Sequence, residues 1–220
     1  MTDRHDKLLK SIVDIYLKTA EPVGSKLLAD SEDFELSPAT IRNEMAELEA
    51  EGYIWQPHTS AGRVPTLAGY QYYVESLMEI KPADSVEAKS IQQLAVKDLR
   101  GLAKFLVAKI NLAVVVGFTP NDMYYTGLFN LFSQPEFEDH RMVLSMSQVV
   151  DSLERAMGRI FYQIREPRVL LGEQCPLGDN CALVGATVDT RFLAVLGPVR
   201  MDYGRILGLF NEAVKTKDYV

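Results

Sequence analysis

The stretch from Ser37 to Pro65, SPATIRNEMAELEAEGYIWQPHTSAGRVP, limits what this chain can fold into more than any other. Ser37 is a good cap residue and Pro38 suits the first position of a helix. Leu36 and Ile41 stand at the two positions of a hydrophobic staple. Ile41, Met45 and Leu48 then recur at spacings of four and three, which makes one buried stripe. Gly52 ends the helix. Tyr53, Ile54 and Trp55 read as a strand, and Pro57 and Pro65 bracket a loop whose tip includes Gly62. A return strand is expected from Val64. A capped helix followed at once by a β-hairpin is the outline of a winged helix.

The face of this helix opposite the stripe carries Ala39, Asn43, Ala46 and Ala50, with Thr40 and Arg42 beside it. Small and polar at its N-terminal end, it has the character of a helix that enters the major groove of DNA. Asn bonds adenine, Arg bonds guanine, and Ala or a Thr methyl touches the thymine methyl. The loop supplies His58, Thr59, Ser60 and a single cation, Arg63. Short polar groups with one Arg suit the phosphate backbone or the minor groove. Ser25 and Lys26, at the start of a short helix, suit a phosphate, and Ser37 at the cap completes the expected DNA-binding set.

Charge opposes this reading. The chain carries a net −7, and residues 1–75 hold seven Lys or Arg against thirteen Asp or Glu. Affinity for DNA comes largely from cations on phosphates. Such a domain has to gather its few cations on one face or bind as a pair. Asp30, Glu32, Asp33 and Glu35 fall between two predicted helices, and Glu47, Glu49 and Glu51 at the end of the third, where a winged helix turns them away from DNA. Lys26, Arg42 and Arg63 fall on the contact side.

Upstream, Leu8, Leu9, Ile12, Val13, Ile15 and Tyr16 predict a helix from Arg4 to Thr19, broken by Pro22 and Gly24. A short second helix follows, with Leu27 and Leu28 inward. Thr66 to Ile80 is expected to be helical, with Tyr70, Tyr73, Val74 and Leu77 on one face. The segment 81–87 reads as a linker. The expected division is a winged-helix domain over 1–80, a linker and connecting helix over 81–110, and an α+β domain over 111–220. In the latter, Leu112 to Phe118, Val169 to Leu171, Leu183 to Val188 and Phe192 to Leu196 are strand candidates. Ala88 to Ile110, Glu138 to Gln163 and Tyr203 to Val214 are helical in pattern.

Several classes are set aside. No apolar run approaches the roughly 20 residues that cross a bilayer. The first residues lack an apolar signal core, so a cytoplasmic location is expected. Cys175 and Cys181 do not have metal-ligand spacing and read as two ordinary small residues beside a turn. His140 with Glu136, Glu138 and Asp139 reads as a charged helix start. Neither a phosphate loop nor a nucleophile elbow is present, so no enzyme, metal or cofactor is expected. Pro198, Arg200, Asp202 and Tyr203 form either a hydrogen-bonded structural corner, the favoured reading, or a pocket wall.

The wing motif SPATIRNEMAELEAEGYIWQPHTSAGRVPT resembles the N-terminal signature of the HrcA family of bacterial heat-inducible transcription repressors, and IVDIYLKTAEPVGSKLLA resembles its first two helices. TGLFNLFSQPEFED (Thr126 to Asp139) and LGPVRMDYGRI (Leu196 to Ile206) are similar to its C-terminal signatures. The resemblance implies a homodimeric repressor of chaperone operons with a GAF-like second domain. It implies double-stranded DNA as one partner, bound at an inverted-repeat operator called CIRCE, and a GroE-type chaperonin as the other. In one respect the chain departs from the family. Only Thr119 to Met123 separate LAVVVGF from YYTGLFN, where the family usually carries a long central segment with an inserted dimerisation domain. A dimer of this short form is expected to use the 88–110 helix and the surface of the second domain. Two other readings stay open: a winged-helix regulator whose second domain binds a metabolite, and a winged helix used as a protein-interaction module.

Overall fold

A computed structural model describes residues 2–31, 34 and 36–215. The chain is a mixture of helix and sheet and divides into two compact units, Met1–Met78 and Glu79–Val220. Residues 81–110, expected as a linker and connecting helix, fall within the second unit. Glu32, Asp33 and Glu35 lie outside the described residues.

The first unit begins with α1 (Asp3–Thr19), α2 (Ser25–Ala29) and α3 (Pro38–Ala50). Leu8, Leu9, Ile12 and Val13 of α1 are buried with Leu28, Ile41, Met45 and Leu48. Leu27, expected inward, is 54% exposed; α2 spans only five residues, and one turn buries only one of the two leucines. Thr2 caps α1 by accepting from the His5 amide, and Ser37 caps α3 by accepting from the Thr40 amide at 3.1 Å. The far end of α3 closes as the sequence suggests. Gly52 adopts φ +85°, its amide donates to Glu49 O, and the Tyr53 amide donates back to Leu48 O. That is the Schellman arrangement, which glycine takes without a Cβ penalty.

A two-stranded antiparallel ladder follows. Ile54 of β1 (Ile54–Trp55) pairs with Pro65 of β2 (Val64–Pro65), and Trp55 pairs with Val64. After it, α4 (Leu67–Tyr72) runs into a π-helical turn at Tyr73–Leu77 rather than continuing to Ile80. Tyr72 and Tyr73 donate to Asp6 and Asp14 of α1, at 3.0 and 2.7 Å. The helix is thereby fixed to α1 by polar contacts as well as by the buried Tyr70 and Tyr73 rings.

In the second unit the helix expected across 88–110 is two helices, α5 (Ser85–Lys97) and α6 (Leu99–Ile110). Asp98 leaves the helical region (φ −153°, ψ 88°) and caps α6 by accepting from the Gly101 amide at 2.9 Å. Then come β3 (Ala113–Thr119), β4 (Asp122–Thr126), α7 (Leu128–Phe132), α8 (His140–Asp151) and α9 (Leu153–Ile160). The unit closes with β5 (Arg168–Leu170), β6 (Cys181–Val188), β7 (Arg191–Pro198) and α10 (Tyr203–Val214). The five strands form one antiparallel sheet in the order β4-β3-β7-β6-β5. The central β3, β6 and β7 are almost wholly buried, as their unbroken apolar runs require.

Strand β4 was not among the expected elements. The short segment after LAVVVGF turns back at once: Thr119 pairs with Asp122 around Pro120 and Asn121, and Val116 pairs with Tyr124. A hairpin thus stands where a long central segment is usual in the resembled family, and β4 forms one edge of the sheet.

The corner at Pro198–Tyr203 is hydrogen-bonded structure. The guanidinium of Arg200 grips both carboxylate oxygens of Glu136, with the Nη2–Oε2 contact at 3.1 Å. Asp202 caps α10 through the Arg205 amide and pairs with Lys81 at 2.8 Å. The Tyr203 hydroxyl donates to Val199 O. Asp139 likewise caps α8, accepting from the Arg141 amide.

Candidate nucleic-acid interface

α3 presents the expected outer face. Ala39, Arg42, Asn43 and Ala46 are exposed, and Thr40 is half-buried. The Ser37 hydroxyl is engaged at the cap, 2.9 Å from the Thr40 hydroxyl, so these two groups shape the helix start. The buried side differs from the expected apolar stripe in one residue. Glu44 is only 7% exposed and accepts from Arg4 of α1 at 2.8 Å.

The structure gathers part of the predicted set around one concavity of about 520 Å³. Ser25, Lys26, Arg42, Thr59, Ser60 and Arg63 line it. Segments far apart in sequence therefore share one surface. Ala39, Thr40, Asn43 and His58 lie outside this wall, Asn43 and His58 in exposed positions. Lys26 and Arg42 are exposed and make no ion pair among the described residues.

Arg63 departs from the expectation. Its side chain is only 15% exposed, and its Nη2 lies 2.8 Å from Glu49 Oε2. Its backbone exchanges two 2.8 Å hydrogen bonds with Val23, just before α2. The cation expected at the loop surface is instead folded against the last turn of α3. A small apolar-to-polar count along the loop could not show this, because the partner is fourteen positions upstream.

Glu49 and Gln56 organise the same loop, a role the sequence does not announce for either. Glu49 was expected to be turned away from DNA. It accepts from the Gln56 amide at 3.0 Å with one oxygen, and the other lies in an ion pair 2.8 Å from Arg63 Nη2. Gln56 follows β1 and Arg63 precedes β2, so one carboxylate holds both ends of the loop. The Gln56 side chain donates to Thr59 O at 3.1 Å and Ala61 O at 2.8 Å, bracing the loop from inside. Glu47 of α3 lies 3.2 Å from His5. Glu44, Glu47 and Glu49 thus each have a partner within the unit.

Elsewhere the described residues offer little chemistry. They contain no group of three or more His, Cys, Asp or Glu able to hold a metal ion. No described helix is long and apolar enough to cross a membrane. Cys175 and Cys181 are free and buried. Burial pushes the Cys181 thiol up to about 12, with a smaller contribution from Cys175.

Comparison with known proteins gives these features a context. Residues 70–207 match the family model described as the HrcA protein C terminal domain. The heat-inducible transcription repressor HrcA of Carboxydothermus hydrogenoformans is 53% identical over 96 residues, 44% of this chain and 28% of that protein. The repressor of the same name from Symbiobacterium thermophilum is 48% identical over 100 residues, 46% of this chain and 29% of that protein. These two matches therefore span less than a third of each relative. The one from Desulforudis audaxviator is 28% identical and covers 94% of both chains. Its alignment runs over 323 positions, more than the 220 residues present here, so that relative carries sequence with no counterpart in this chain. A crystal structure of a hypothetical protein shares the fold, with a TM-score of 0.76 at 18% identity and 98% of both chains covered.

Proposed function

The chain belongs to the HrcA family, a family of transcription repressors and not of enzymes, and from that premise we propose that it represses chaperone operons by binding an inverted-repeat, CIRCE-type operator. The N-terminal unit is read as a winged helix, with α3 as the helix that enters the major groove and the 56–63 loop as the wing. The second unit is read as a GAF-like domain that pairs two copies or senses the state of a GroE-type chaperonin, in the cytoplasm.

One observation carries the DNA reading. The exposed face of α3, with Arg42 and Asn43, adjoins a concavity whose other wall is Lys26, Thr59 and Ser60. A helix bearing Arg and Asn can read base edges while its neighbours hold phosphates. The charged residues that line this concavity, Lys26, Arg42 and Arg63, are all cations, which supports the reading. A two-fold operator calls for two such helices at fixed separation, hence a homodimer.

The test is a gel-shift titration against a CIRCE-type inverted repeat and a scrambled duplex, with and without GroE-type chaperonin. The expected result is selective binding that chaperonin strengthens. Equal, weak binding to both duplexes would overturn the operator reading. Selective binding indifferent to chaperonin would remove the chaperonin from it.

A further inference from the structure

Glu49 and Arg63 carry an inference that rests on the DNA reading and deepens it. Arg63 lines the proposed interface and Glu49 pairs with it, and a simple electrostatic view gives them opposite effects: the Arg attracts phosphate and the Glu repels it. The geometry points to a different assignment. We infer that Glu49, Arg63 and Gln56 form a clasp that sets the wing against the recognition helix, and that Arg63 is a positioning residue and not a phosphate ligand.

Four observations support the clasp. Glu49 sits in the last turn of α3, the helix that carries Arg42 and Asn43. Its two oxygens reach both ends of the wing loop, to the Gln56 amide at 3.0 Å and Arg63 Nη2 at 2.8 Å. The Arg63 side chain is 15% exposed and its Nη2 lies against Glu49, so it offers a phosphate little open surface. The backbone of Arg63 is tied to Val23, which precedes Lys26 by three residues. One residue thus links all three walls of the concavity: α3, the segment leading into α2, and the wing. Breaking it leaves every proposed contact residue present but misplaced. Misplacement of a positioned group by about 1 Å is costly in molecular recognition and catalysis alike.

The two assignments predict different signs. If Arg63 neutralises a phosphate, Arg63→Gln reduces the salt slope of binding by about 1, and Glu49→Gln, which removes a nearby negative charge, tightens binding. If the clasp operates, Arg63→Gln and Glu49→Gln each weaken binding, on the order of tenfold. The slope then stays at the parent value, and the double variant is no worse than either single one, because both break the same contact.

The experiment measures fluorescence anisotropy of a labelled CIRCE-type duplex across a salt series, with parent, both single variants, the double variant and Lys26→Ala. Thermal unfolding of each protein confirms that the parent fold is kept, and Glu49→Gln, which preserves shape, serves if Arg63→Gln does not fold. Non-additive loss with an unchanged slope, set against a lower slope for Lys26→Ala, is the result expected. Tighter binding by Glu49→Gln, or a lower slope for Arg63→Gln, would overturn the clasp and leave the DNA reading standing. A parent with no salt-dependent binding would sink the DNA reading itself, and the clasp with it.

Discussion

Glu87 on α5 and Arg205 on α10 meet in a 2.6 Å hydrogen-bonded ion pair across 118 positions of chain. The same carboxylate lies 3.1 Å from Lys109 of α6 and accepts from the Asp84 amide in a capping box. One buried acid thus joins the three helices. Arg205 above all holds its carboxyl at about 2, against an ordinary 4.5, despite the opposing cost of burial. The ionised form is the one the fold favours. Its stabilisation is therefore complete above about pH 4.5, declines as pH falls toward 2, and is gone below that. Glu87→Gln is expected to cost about 2 kcal/mol at neutral pH, the two cations being partly exposed and so able to hydrate. Denaturant unfolding at pH 7 and pH 3 checks both points: the parent should lose more stability than the variant between the two.

Arg200 and Glu136 join the two C-terminal signature segments in the same way. Arg200 is also within 3.3 Å of Gln134, and its side chain is 11% exposed. Two parallel hydrogen bonds to one carboxylate need the planar fork of arginine. Arg200→Lys keeps the charge and loses the fork, so it should destabilise the second unit by about 1–3 kcal/mol. A melting temperature equal to the parent's would show that the pair does not hold the corner.

Gly62 faces the Val23 carbonyl so closely that a Cβ would overlap backbone atoms. Backbone cannot rotate away as a side-chain tip can. Gly62→Ala should therefore push the 56–63 loop from Val23 and cost about 1–3 kcal/mol. The paired prediction is a weaker fit to DNA at unchanged salt slope, since no cation is lost.

Local signals made much of this legible in advance. Ser37, Pro38 and Gly52 mark both ends of α3, and the apolar period of Tyr203–Val214 matches α10 along its whole length. What escaped depends on partners distant in sequence or on one side chain. Asp98 interrupts an apolar period that runs on through Leu99, Leu102 and Leu106, and only its capping bond to Gly101 reveals two helices. In DMYYT the polar and apolar residues alternate too weakly to announce β4, whose pairing with β3 defines it. Arg63 looked like a surface cation because nothing within the loop names Glu49 as its partner.

Cys181 gives a probe of folding that is independent of DNA. With its thiol pushed up to about 12 and the residue 1% exposed, almost none of it is thiolate at pH 8, and reagent cannot reach it. Burial raises the Cys175 thiol as well. Native protein should resist alkylation by iodoacetamide, and both cysteines should react once denaturant opens the second unit. Rapid labelling of native protein at Cys181, read by mass spectrometry, would contradict the packing of β6 against β7.

Asn43 and Lys26 separate reading a sequence from holding a backbone. Asn43 is exposed on the face of α3 beside Arg42, and its amide can pair with an adenine edge. Asn43→Ala should therefore relax preference at one or two base pairs of the operator, by about 1–3 kcal/mol, while binding to scrambled duplex stays the same. Lys26 lines the same concavity as Arg42 of α3, where the DNA backbone is proposed to pass. Lys26→Ala should weaken binding to operator and scrambled duplex alike and lower the salt slope by about 1. Competition titrations with a panel of single-base operator variants, at two salt concentrations, resolve the two effects. The same result for both variants would overturn the proposal that α3 lies in the groove.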